Sequence, residues 1–151
     1  MNRLSVFASV LMLCTAARIS GVTPASYTTE HKIVVTPAVA LYGEPFSWKV
    51  TGLGRGERVT VKAVSKDVRR ISWESEAVFE ADASGTVDGS RQAPVSGSYG
   101  EADILGLLWS MKPTNSDPKK PIAYRNDGVN GWTVDLTATN SAGTKATTRF
   151  V

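Results

Sequence analysis

The sequence predicts an all-β domain, an immunoglobulin-like two-sheet sandwich of about seven strands. Three observations point there. Apolar residues recur with a period of two in one segment after another, Gly, Pro and Ser turns separate those segments, and no stretch carries a convincing apolar stripe of helical period. The length of 151 residues, with 42% hydrophobic and 21% charged side chains, suits one globular core.

The chain opens on Met1-Asn2-Arg3, an apolar run from Leu4 to Leu13 and the small residues Thr15-Ala16-Ala17. That is the three-part pattern of a secretory signal, and it is too short to span a bilayer. Residues 1–21 are therefore expected to be a signal peptide with a short leader, cut after Ala17 or nearer Gly21. The expected location is outside the cytoplasm, periplasmic or extracellular, with membrane contact only through an uncleaved signal segment. Cys14 is preceded by Leu13 and lacks the small residue expected before a lipid-modified cysteine. Removing the segment takes the single cysteine with it, so burial and strand pairing must hold the fold without disulfides.

Residues 22–151 are expected to form the domain. After a polar stretch to Glu30, Ile33 and Val35 begin the alternation, and Phe46, Trp48 and Val50 alternate with Ser47, Lys49 and Thr51 up to Gly52. Gly52-Leu53-Gly54-Arg55-Gly56 reads as a hairpin turn; its glycine spacing and the lack of a following helix exclude a dinucleotide fingerprint. Val59, Val61 and Ala63 share one parity, as do Ile71, Trp73, Ala77, Phe79 and Ala81, while Glu74, Glu76 and Glu80 lie on the opposite, solvated face. Asp82 to Asp88 reads as a turn rather than a calcium loop, for it lacks the remaining acidic ligands and the distal Glu. The nearest helix candidate, Ala102 to Met111, is short, contains Gly106 and ends at Pro113. A long polar connection follows from Lys112 to Gly131. Trp132, Val134, Leu136 and Ala138 then alternate with threonines and Asp135, and Asn140-Ser141-Ala142-Gly143 turns into a last strand to Val151.

No complete catalytic or metal site emerges. The single histidine, His31, sits at the polar edge of the first strand, where chain ends are often mobile, and no Gly-x-Ser-x-Gly elbow is present. One histidine without a mature cysteine cannot build a zinc site, and no cofactor is called for. The formal charge of +3 falls to about +2 without Arg3, and the basic residues are scattered, which excludes a nucleic-acid footprint. Trp48, Trp73 and Trp132 fall in the buried parity of their strands; Trp109, in a less regular segment, is the candidate for an interface.

The blocks Ala77 to Asp88, Gly97-Ser98-Tyr99 and Gly106-Leu107-Leu108-Trp109-Ser110-Met111-Lys112-Pro113 occur in an order that resembles the amino-terminal domain of acyl-CoA thioester hydrolases and bile acid-CoA:amino acid N-acyltransferases. Val35-Thr36-Pro37, Glu44-Pro45 and Val50-Thr51-Gly52-Leu53 agree with that family's opening strands. Between the tyrosine and the Gly-Leu-Leu-Trp block the family has an Asp-Pro-Met-like stretch, where this chain reads Glu101-Ala102-Asp103-Ile104-Leu105. The resemblance implies an immunoglobulin-like sandwich that packs on an α/β-hydrolase catalytic domain, which supplies a Ser or Cys, an Asp and a His. None of those catalytic residues can be carried onto this chain. The expected function is a non-catalytic domain that packs on a hydrolase domain or subunit and borders an acyl thioester ligand. Tyr99, Leu107, Leu108, Trp109 and Met111, apolar and outside the regular alternation, are the expected contact surface. The alternative is a free-standing exported binding or interaction module, which the signal segment favours because acyl-CoA is mainly intracellular.

Overall fold

A computed structural model describes residues 30–41, 43–114, 117, 121–126, 128–129 and 131–151. The expected signal segment lies outside the described residues, as does Lys119 in the long connection. Among the described residues the alternation seen in the sequence becomes nine strands, with one helical turn. They are β1 (Lys32–Thr36), β2 (Ser47–Thr51), β3 (Arg58–Lys66), β4 (Ser72–Glu80), β5 (Val87–Asp88), β6 (Ser96–Gly97), α1 (Gly106–Trp109), β7 (Lys112–Pro113), β8 (Val134–Asn140) and β9 (Lys145–Phe150).

Two antiparallel sheets result. One has the order β1-β2-β5; the other has the order β6-β4-β3-β8-β9, with β7 also on the outer edge of β4. Both place alternate side chains inward, so Ile33, Val35, Trp48 and Val50 from the first sheet meet Val59, Val61, Ala77, Phe79, Val134 and Leu136 from the second in one buried cluster. Trp48 and Phe79 touch across that interface in an edge-on contact with ring centroids 5.3 Å apart. This is the predicted β-sandwich. The strand count exceeds seven because β5, β6 and β7 are two-residue pairings too short to leave a periodic signal.

Two local expectations are corrected. The stretch from Gly52 to Gly56 is not a hairpin turn: β2 and β3 lie in different sheets, and this stretch carries the chain from one to the other. Glycine-rich turn chemistry specifies reversal of direction, not the identity of the next partner. His31 does not sit at a polar edge; only 2% of it is exposed. It shares the inward parity of Ile33 and Val35, and its Nε2 donates to the Ala138 carbonyl of β8 at 3.2 Å.

Candidate functional site

Between β6 and β7 the alternation stops, and the chain folds back over the outer edge of β4. Gly97 starts this path with a φ of 138° beside Ala77, where an added Cβ would lie 2.5 Å from the Ala77 Cα, so only glycine fits. Ser98 locks onto β4 at the next position. Its N–H donates to the Glu76 carbonyl at 2.8 Å, and its hydroxyl both accepts from the Glu76 N–H and donates to the same carbonyl, at 3.0 Å each.

Tyr99 then points inward. Its ring lies 6.5 Å from Phe79 and 6.0 Å from Trp109, so Trp48, Phe79, Tyr99 and Trp109 form a continuous series of rings from the facing sheet to the surface. Burial pushes the Tyr99 phenol up to about 12, and the nearby Asp103 carboxylate adds to the shift. The hydroxyl has no hydrogen-bond partner among the described residues.

Asp103 organises the turn that follows. One carboxylate oxygen accepts the Leu105 N–H at 2.8 Å, and the other accepts the Trp109 indole N–H at 2.7 Å. The Trp109 backbone N–H donates to the Leu105 carbonyl at 3.1 Å. Leu105 and Trp109 therefore stand one helical turn apart on the same side, 47% and 62% exposed. Beneath them Leu107 and Met111 are buried, Leu108 is half-buried, and the Ser75 hydroxyl of β4 donates to the Leu107 carbonyl.

Of the five residues singled out in the sequence, the structure brings all to one edge of β4 but gives them different positions. Tyr99, Leu107 and Met111 belong to the domain's own core, while Trp109 reaches the surface. Leu105 and Asp103 were not singled out. The signal that could have found them was an acidic residue two positions ahead of the turn, where its carboxylate can take a backbone N–H, and the four-residue spacing of Leu105 from Trp109.

Among the described residues, the polar groups elsewhere do not bring a nucleophile and base together. Ser98 is committed to Glu76 on β4, whereas His31 is buried against β8. Glu74 faces Lys62 in an ion pair, and the turn carboxylate Asp82 accepts from Ser84 and the Thr86 N–H, as a strand-connecting turn requires.

A family model described as "Acyl-CoA thioester hydrolase/BAAT N-terminal region" matches residues 43–150. Among curated proteins, acyl-coenzyme A amino acid N-acyltransferase 1 of Mus musculus is 35% identical over 82 residues, a stretch that is 54% of this chain and 20% of the relative. Acyl-coenzyme A thioesterase 6 of Mus musculus is 33% identical over 72 residues, 48% of this chain and 17% of the relative. Acyl-coenzyme A thioesterase 2, mitochondrial, of Rattus norvegicus is 29% identical over 97 residues, 60% of this chain and 21% of the relative. The match thus spans about a fifth of each relative's length. The family model's match takes in the Gly106–Pro113 block and the strands that hold it, and on that match the chain belongs to the acyl-CoA thioester hydrolase/BAAT N-terminal region family.

Proposed function

We propose that this domain is a non-catalytic packing module that docks on an α/β-hydrolase catalytic domain or subunit through Trp109 and Leu105 and borders the acyl thioester bound there. The observation that carries this reading is Trp109 itself: a large aromatic side chain that is mostly exposed, yet held in one orientation by Asp103 and by the edge of Tyr99. An anchor fixed before contact loses little side-chain entropy on binding, and exposed tryptophans of this kind commonly dominate interface energies. The acyl thioester is supported by the relatives, which are acyl-coenzyme A amino acid N-acyltransferases and acyl-coenzyme A thioesterases. The signal-type pattern of residues 1–21 supports export, and the same segment favours a second reading, a free-standing exported module that offers this face to another partner.

The test is a thioesterase assay on the purified chain with a panel of acyl-CoA and simple thioester substrates, alongside Ser98→Ala and His31→Ala. No turnover from the folded chain is the expected result. Turnover removed by either substitution would sink the reading, since it would require a catalytic site built from those side chains.

A further inference from the structure

The turn between β3 and β4 and the segment 121–126 enclose a cleft of about 230 Å³, lined among others by Lys66, Val68, Arg125, Asn126, Gly131 and Thr133. Its frame is tied together by main-chain and side-chain bonds. The Val68 N–H donates to the Arg125 carbonyl at 3.1 Å, Arg69 Nη2 donates to the Ala123 carbonyl at 2.7 Å, and the Tyr124 hydroxyl donates to the Lys66 carbonyl at 3.1 Å.

Among the described residues one carboxylate, Asp67, lines this cleft, and it is already used. The Asp67 side chain is fully buried, with Oδ1 accepting the N–H groups of Arg69 and Ile71 and Oδ2 accepting from the Arg69 guanidinium. Its charge is thus cancelled by Arg69. Lys66, Arg70 and Arg125 have no carboxylate within ion-pair distance among the described residues. Two of these cations line the recess, and the third, Arg70, belongs to the same turn. The Asn126 Oδ1 accepts the Gly128 N–H at 3.0 Å, which leaves its amide nitrogen as the remaining donor, and Thr133 lines the same recess. Uncompensated cations and neutral donors around a recess are the chemistry that takes phosphate oxygens, and an arginine offers them a planar fork.

We propose that this cleft binds a phosphate-bearing small molecule, with Lys66 and Arg125 as its cationic contacts. The site is separate from the Trp109 face. Only the choice of coenzyme A as a probe rests on the acyl thioester reading above; inorganic pyrophosphate does not depend on it.

The experiment is calorimetric titration of the purified chain with pyrophosphate, followed by competition with coenzyme A and with pantetheine, which lacks phosphate. Pyrophosphate should bind in a salt-dependent manner. Lys66→Gln and Arg125→Gln should each weaken binding roughly tenfold or more. Arg55→Gln, beyond the opposite end of β3, should leave it unchanged. Lack of binding by the folded chain, or binding that Lys66→Gln and Arg125→Gln both retain, overturns the proposal. Displacement by coenzyme A but not by pantetheine identifies its phosphates as the ligand groups. Pyrophosphate binding that coenzyme A does not displace keeps the phosphate site and removes coenzyme A as its ligand.

Discussion

Gly106 lies directly against the ring of Tyr99: a Cβ added to Gly106 would come within 2.2 Å of the Tyr99 Cε2. The first helical turn and the buried phenol therefore share space that only a hydrogen can occupy. Gly106→Ala gains helix propensity yet must push the ring or the turn aside, and overpacking of this kind costs about 1–3 kcal/mol. Denaturant unfolding should show that loss, and the near-ultraviolet signal of Tyr99 and Trp109 should change with it. A midpoint equal to or above that of the parent would show that the contact yields freely.

The same ring carries a hydroxyl with no partner among the described residues. Removing a buried polar atom that makes no hydrogen bond is close to neutral or stabilising, so Tyr99→Phe should change stability by less than about 1 kcal/mol. It should also alter the response to alkali. The folded phenol is raised from 10.0 to about 12, so its contribution is intact below pH 10 and is lost as the pH rises from there through about 12. Unfolding followed across that window should be steeper in the parent than in Tyr99→Phe.

Trp109 separates docking from stability. With 62% of its surface exposed, Trp109→Ala should cost less than about 1 kcal/mol in unfolding free energy. Loss of a preorganised aromatic anchor costs about 2 kcal/mol or more in binding, a drop in affinity of at least roughly tenfold. The readout is binding to the portion of a curated acyltransferase relative that lies beyond the matched stretch. Equal binding by parent and variant would remove Trp109 from the interface.

Acid sensitivity should be strongest at Asp88, the last residue of β5. Asp88 is held down to about 2: Ser90 donates to its carboxylate, partial burial opposes that, and Lys49 adds an ion pair at 2.9 Å. A depressed carboxyl contributes stability above its unfolded value of 3.8 and loses it as the pH falls toward 2. With Lys49 half exposed, that contribution is about 1 kcal/mol. Asp88→Asn should flatten the decline in stability between pH 4 and pH 2; an unchanged slope would assign it to other carboxylates.

Expression with residues 1–21 in place should deliver the chain outside the cytoplasm, cut after Ala17 or nearer Gly21, as read by mass spectrometry. Recovery of the intact Met1 terminus inside the cell would count against export.

Period-two alternation by itself determined that Ile33–Val35, Trp48–Val50, Val59–Ala63, Trp73–Phe79 and Val134–Ala138 would be strands with one buried face. Parity is a local property of extended backbone, and it reads out without any knowledge of partners. The blocks around Gly97 and Gly106 likewise carried the family relationship. Only the tertiary structure decided where the Gly52–Gly56 turn delivers the chain, because sheet membership depends on which edge is free. It also decided that His31 is buried, that Tyr99, Leu107 and Met111 sit in the core, and that Trp109 reaches the surface. Outside regular alternation, a side chain's burial is set by what folds over it. Here that is Gly106 against Tyr99 and Asp103 holding the Trp109 indole, contacts between neighbouring turns that no periodicity encodes.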